Sequence, residues 1–67
     1  MAEPDDPEAR LSKLVHDLRS PLMVAEGFAQ LLARDEGKLT PEQRADFAKR
    51  VESAMADMRA LLDDART

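Results

Sequence analysis

The chain has 67 residues and a net charge of −4, and it contains one histidine and no cysteine. Disulfides, thiolate metal sites and multi-histidine metal sites are therefore excluded within one chain, and we predict no metal site. A chain of this length forms at most one small domain whose own core contributes no more than about 3–5 kcal/mol, so we expect self-association.

The first predicted element is a helix that follows a flexible lead-in over residues 1–6. Asp6 and Pro7 indicate its start, because an Asp side chain can cap free N–H groups and proline is tolerated at the first helical position. Apolar residues then recur in steps of four and three, which predicts helix 1 over about residues 7–35. This predicted seam consists of Leu11, Val15, Leu18, Leu22, Ala25, Ala29 and Leu32.

More apolar residues widen the stripe of helix 1 on both sides of the seam. Leu14, Pro21 and Phe28 run along one edge, and Val24 and Leu31 extend the stripe further. A stripe this wide suits a helix that contacts two neighbours in a bundle rather than one partner in a coiled coil.

A short loop over residues 36–40 separates the two predicted helices. Gly37 is suited to a left-handed helix terminator, and Thr40, Pro41 and Gln43 form a start signal with a capping box. Helix 2 is predicted over about residues 41–65, with its own heptad seam. That seam consists of Phe47, Val51, Ala54, Met58, Leu61 and Ala65, with Met55 and Leu62 beside it.

The loop is so short that the two helices must be antiparallel neighbours. One hairpin leaves part of each apolar stripe uncovered, whereas two hairpins cover each other. The sequence therefore predicts an all-α fold, an antiparallel helical hairpin over residues 7–67 that dimerises into a four-helix bundle.

The charge and hydropathy patterns also restrict the partners. An acidic chain without a basic cluster argues against nucleic acid. No apolar stretch approaches the ~20 residues that span a bilayer, and the acidic N-terminus does not resemble a signal peptide. We expect a soluble, cytoplasmic segment without direct membrane contact, whose parent protein could still be membrane-anchored.

The only histidine, His16, falls on the outer surface of helix 1, away from the apolar seam. A solvated helix face that happens to carry a histidine is the simplest interpretation. Pro21 makes the region unusual, because proline inside a helix costs about 3 kcal/mol and removes a hydrogen bond to the carbonyl of Asp17. A bend one turn beyond an exposed histidine makes Pro21 a candidate hinge.

The string His16-Asp17-Leu18-Arg19-Ser20-Pro21-Leu22 closely resembles the H-box of sensor histidine kinases. The resemblance extends over roughly residues 8–66, since residues 24–32 look like the family's continuation of helix 1 and residues 41–65 look like its helix 2. The chain is thus identified as a member of the dimerisation and histidine-phosphotransfer (HisKA-type) domains.

The resemblance implies a role for each polar residue of the box. His16 would be the phosphoacceptor, phosphorylated from ATP, and would pass the phosphoryl group to a response-regulator aspartate. Asp17 would be the general base that orients the imidazole. Ser20 stands where the family more often has Thr or Asn, so its role in the reverse phosphatase reaction is less secure.

Two further residues are candidates for partner docking. Met23 and Gly27 lie seven and eleven residues after His16 on its outer face, where a response-regulator helix could dock. The alternative is a partly buried methionine and a tolerated glycine.

The expected partners are a second copy of the chain, an ATP-binding catalytic domain and a response-regulator receiver domain. Nothing in the sequence resembles the ATP-binding domain, so we expect this segment to bind no cofactor, and ATP with Mg is implied for a domain elsewhere in the parent kinase. Two alternative functions remain, namely a stand-alone phosphotransfer protein and a purely structural dimerisation bundle.

Overall fold

The computed structural model describes residues 6–66, which form two α-helices and one connecting loop. Helix α1 spans Pro7–Ala33 and helix α2 spans Pro41–Arg66, and they pack against each other along their length. This confirms the predicted helical hairpin. Residues 1–5 of the predicted lead-in lie outside the described residues, as does Thr67. Between residues 6 and 66, neither helix combines the length and the apolar character needed to cross a membrane.

Helix α1 begins where the sequence predicts and ends two residues earlier than predicted. The Asp6 carboxylate accepts a hydrogen bond from the Glu8 amide at 3.1 Å, and Pro7 occupies the first helical position. The helix stops at Ala33 rather than near residue 35 because the Asp35 side chain binds loop amides instead of continuing the helix. Aspartate competes with helix hydrogen bonds in this way at many helix ends.

The loop is organised around Asp35, whose side chain is only 6% exposed. One carboxylate oxygen, Oδ1, accepts hydrogen bonds from the amides of Gly37, Lys38 and Leu39 at 3.0, 3.0 and 3.1 Å. The other oxygen, Oδ2, accepts a hydrogen bond from the Arg44 guanidinium on helix α2. Gly37 has a φ of +84°, the left-handed conformation that its lack of a side chain permits.

These contacts lower the pKa of the Asp35 carboxyl. The Leu39 amide has the largest effect, and the Arg44 guanidinium and the amides of Lys38 and Gly37 act in the same direction, while burial opposes them. Because the folded carboxyl has the lower pKa, its stabilising contribution is complete above the ordinary carboxyl pKa. The contribution is lost as the pH falls through the lowered value.

Helix α2 begins with the predicted capping box. The Gln43 amide donates to the Thr40 hydroxyl at 3.0 Å, and the Thr40 amide donates to Oε1 of Gln43 at 2.9 Å. These two bonds satisfy amides that a helix start would otherwise leave unpaired.

The interface between the two helices uses only part of the predicted apolar stripes. Buried and half-buried side chains recur in steps of three and four on each helix. On α1 the apolar ones are Leu14, Leu18, Pro21, Ala25, Phe28 and Leu32, with Asp17 half-buried beside them, and on α2 they are Phe47, Ala48, Val51, Ala54, Met58 and Leu61. The predicted seam of α1 is therefore rotated, since Val15, Leu22 and Ala29 remain exposed and the line through Leu14, Pro21 and Phe28 contacts α2 instead.

The core of the hairpin is thin. In the described part of the chain, the buried apolar side chains are Ala25 and Ala54, which are 9% and 4% exposed. Near the loop, the rings of Phe28 and Phe47 are 5.2 Å apart, and the Arg50 guanidinium lies 5.4 Å from the centre of the Phe28 ring. Aromatic and cation–π contacts thus fix the loop end of the hairpin.

A cleft and a row of exposed apolar side chains lie on opposite sides of the helix interface. The cleft is lined by three polar residues, Ser20, Asp57 and Asp64, and by five apolar residues, Val24 among them. The helical repeat places Val15, Leu22, Met55 and Leu62 on the opposite side. Each of these four apolar side chains is between 47% and 54% exposed. We call this set the apolar side and the other side the acidic cleft.

Candidate functional site

His16 lies on the outer surface of α1, as its heptad position predicts. Its side chain is 87% exposed, so a reactant can approach the imidazole from solvent. The interface residues of α1 that lie nearest to His16 are Leu14 and Leu18, two positions before and two positions after it. The helix therefore presents the ring outward from a backbone that is held by the hairpin interface.

Asp17 lies beside the imidazole although it is the next residue in the helix. Its Oδ1 atom is 3.6 Å from Nδ1 of His16. That separation is slightly longer than a hydrogen bond, and contacts of this kind often tighten only when a substrate is bound. A carboxylate at Nδ1 favours the tautomer that carries a proton on Nδ1, which leaves the lone pair of Nε2 free.

Asp17 is also close to a cation on its own helix. The Lys13 ammonium is 3.9 Å from Oδ2 of Asp17, the oxygen that does not face His16. The Asp17 side chain is 35% exposed, against 81% for Lys13. The carboxylate thus lies between an ammonium group on one side and the imidazole on the other.

The remaining predicted residues form a line along the same outward face. Ser20 is exposed one turn after His16 and lines the acidic cleft. Met23 is 68% exposed, and Gly27 is exposed as well. A Cβ atom built at Gly27 meets nothing within 4 Å, so packing inside the hairpin gives no reason for glycine there.

Pro21 sits next to this line but faces the hairpin interface. It is half-buried and lines the acidic cleft together with Ala54 of α2. Helix α1 continues through it from Pro7 to Ala33. The hinge role of Pro21 stays a prediction, because continuity of the helix does not measure its flexibility.

Two features near the site were not predicted from the sequence. The Lys13–Asp17 pair has the i,i+4 spacing of helical ion pairs, so its spacing could have indicated it. The proximity of Asp57 and Asp64 to Ser20 could have been found only by pairing the two helices in register. Among residues 6–66, no group of three or more His, Cys, Asp or Glu side chains is arranged to hold a metal ion.

One of the comparisons with known proteins gives a match. The family model of the His Kinase A (phospho-acceptor) domain matches residues 9–67, which is most of the chain and includes all of the site. No curated protein and no solved structure gives a significant match. Histidine kinases of two-component signalling are transferases, and this family supplies their phosphoacceptor and dimerisation domain. The chain belongs to the His Kinase A (phospho-acceptor) domain family.

Proposed function

We propose that His16 is the phosphoacceptor of this domain and that a separate ATP-binding domain of the kinase phosphorylates it. The observation that carries the proposal is the exposed imidazole of His16, 87% accessible, with a carboxylate 3.6 Å from its Nδ1 atom. A nucleophile that must meet another domain needs access, and it also needs one ring nitrogen free of protons.

His16 and Asp17 have different roles in the proposed reaction. Nε2 of neutral His16 attacks the γ-phosphorus of ATP, and the bond from that phosphorus to the bridging oxygen of ADP breaks. The ring becomes positively charged as the new bond forms. Asp17 accepts a hydrogen bond from the Nδ1 proton, which holds the ring in orientation and stabilises that charge, and as a general base it takes up this proton once the bond to phosphorus has formed. ATP and Mg belong to the catalytic domain, and the hairpin itself holds neither.

The phosphoryl group then passes to an aspartate of a response-regulator receiver domain. Met23 and Gly27 support this step, because one is a large exposed apolar side chain and the other leaves open space on the same face as His16. A partner helix can approach a backbone closely where a glycine replaces a larger side chain.

Ser20 is proposed for the reverse reaction, in which the phosphoryl group is hydrolysed. Its hydroxyl lies one turn beyond His16 on an exposed surface, where it can hydrogen-bond a water molecule.

The functional unit is proposed to be a homodimer that forms a four-helix bundle. Eight large apolar side chains of the described hairpin are 46% or more exposed, whereas only alanines are buried. An apolar surface of this kind is typical of a subunit interface. The apolar side, with Val15 and Leu22 on α1 and Met55 and Leu62 on α2, is where we expect the second copy.

The test of the phosphoacceptor assignment is a His16→Gln variant incubated with the kinase's catalytic domain and radiolabelled ATP. We expect wild type to acquire an acid-labile, base-stable label and the variant to acquire none, because the chain contains no other histidine. Circular dichroism should show equal helicity, since the His16 side chain is 87% exposed and lies outside the interface between the two described helices. An undiminished acid-labile label on the variant would refute the assignment.

A further inference from the structure

The carboxylate of Asp17 creates an electrostatic problem for the proposed reaction. It lies 3.6 Å from the imidazole, and the group that must reach this imidazole is an anionic phosphate. Like charges at such separations repel, and the repulsion is stronger near a protein surface than in bulk water. A site that keeps the carboxylate for orientation therefore needs a compensating positive charge.

Lys13 is in position to supply that charge. Its ammonium lies 3.9 Å from Oδ2 of Asp17, while Oδ1 faces the imidazole, so the two contacts use different oxygens. Lys13 also precedes His16 by three residues, and residues three apart are neighbours on one helix face, with Cβ atoms roughly 5–6 Å apart. The flexible stem of a lysine carries three donors on one compact charge.

Other charged groups line the same cleft as Asp17. The cleft between α1 and the end of α2 that Asp17 lines also contains Arg10, Asp64 and Arg66. Within residues 6–66, the ion-pair contacts of Asp17 are with Lys13 and His16. Lys13 is therefore the cation that reaches both the carboxylate and the surface from which a phosphate approaches.

We propose that Lys13 is the counter-ion of the phosphoacceptor site: it neutralises Asp17 and attracts the phosphoryl group that arrives at His16. The inference rests on the proposed function of His16 and assigns a positioning residue to it. With 81% of its side chain exposed, Lys13 is free to move from the carboxylate toward the phosphoryl oxygens once phosphohistidine has formed.

The test uses phosphoramidate, a small anionic phosphoryl donor, with the chain alone. The phosphorus–nitrogen bond of the donor breaks as the bond from phosphorus to the imidazole forms, and the displaced nitrogen leaves as ammonia with the imidazole proton. Because His16 is the sole imidazole in the chain, ³¹P NMR reports one site. No ATP-binding domain or receiver is required, so the readout isolates the charges around His16.

Three variants separate the role of this charge from other effects. Lys13→Met should lower the rate about two- to fivefold, the range expected for one exposed charge pair. Lys13→Arg should keep the wild-type rate, and so should Lys49→Met, which removes an exposed lysine from α2. The deficit of Lys13→Met should vanish near 1 M salt, where the Debye length is only about 3 Å.

An unchanged rate in Lys13→Met would overturn the inference, as would an equal loss in Lys49→Met or a deficit that persists in high salt. A loss of helicity in Lys13→Met is not expected, since methionine is as good a helix former as lysine. If the Lys13 inference is refuted in this way, the assignment of His16 as phosphoacceptor still stands, because it is tested separately by labelling with the catalytic domain. Conversely, a label that persists in His16→Gln would refute the proposed function. The phosphoramidate rates would still report how the Lys13 charge affects phosphorylation of the imidazole.

Discussion

At the scale of single residues, Gly27 destabilises helix α1, and no packing contact inside the described hairpin requires a glycine there. A glycine within a helix destabilises it by about 1 kcal/mol relative to alanine. Apart from the adjacent backbone of α1, no atom of residues 6–66 lies within 4 Å of a Cβ built there, so a larger side chain would meet no obstacle in the described hairpin. The open space is therefore available to a partner.

We expect Gly27→Ala to raise the thermal midpoint and Gly27→Leu to slow phosphoryl transfer to the receiver domain severalfold. The first effect follows from helix propensity, about 1 kcal/mol, which is roughly 4–8 °C for a domain of this size. The second follows if a receiver helix packs against this face. Melting curves and single-turnover transfer from phosphorylated protein measure the two effects. Glu26→Leu, one residue away, is the matched control; equal slowing by both variants would contradict docking at Gly27.

The residues of the site were predictable to different degrees. The exposure of His16 follows from its place outside the heptad seam, and the start of α1 at Asp6 and Pro7 follows from capping chemistry. The i,i+4 spacing of Lys13 and Asp17 permits an ion pair, but its formation depends on side-chain rotamers that periodicity does not determine. The near contact of Asp17 with His16 is of the same kind, because adjacent helical residues do not ordinarily face each other.

At the scale of the elements, Pro21 places a weak point in the middle of α1. The helix is continuous from Pro7 to Ala33, yet proline at 21 cannot donate a hydrogen bond to the carbonyl of Asp17. The helix therefore has one fewer backbone bond one turn beyond His16. A bend there would let the N-terminal part of α1 tilt while the segment toward the loop stays packed on α2.

Pro21→Ala should raise the thermal midpoint and uncouple the stimulus from phosphorylation in the full-length kinase. The substitution restores an N–H donor and removes a cost of about 3 kcal/mol, although the gain is reduced because proline also restrains the unfolded chain. Melting of the isolated chain and autophosphorylation of the parent, with and without stimulus, are the paired measurements. A variant that is no more stable and responds fully would mean that Pro21 is neither strained nor a hinge.

The hydrophobic periodicity of the sequence does not determine which face of α1 contacts α2 or where α1 ends. A stripe that spans Val24, Pro21, Leu18 and Leu22 does not specify which of its edges contacts the other helix of the hairpin. In the structure Leu18 and Pro21 contact α2, whereas Leu22 and Val24, which flank them on either side, remain exposed. The end of α1 was predicted two residues late because the hydrogen bonds of Asp35 to three loop amides depend on the three-dimensional path of the loop.

At the scale of the whole molecule, the thin core and the apolar side predict a dimer. Light scattering at micromolar concentration should give about twice the chain mass of 7.5 kDa. Leu22→Glu should shift the protein toward monomer, because it places a charge on the apolar side. Leu31→Glu is the matched control, since Leu22 and Leu31 are 49% and 51% exposed but lie on different edges of the stripe. A folded wild-type monomer would exclude the four-helix bundle.

The hydrogen bonds around Asp35 have a mechanical consequence for the molecule. Its carboxylate ties three successive amides of the connection to one point and also binds Arg44 on the next helix. The Thr40–Gln43 capping box fixes the far end of the same segment. The connection consequently has no slack, and an axial pull on α1 cannot be absorbed by extending the loop without breaking these bonds. We therefore expect the turn to resist extension and to transmit sliding of α1 to α2.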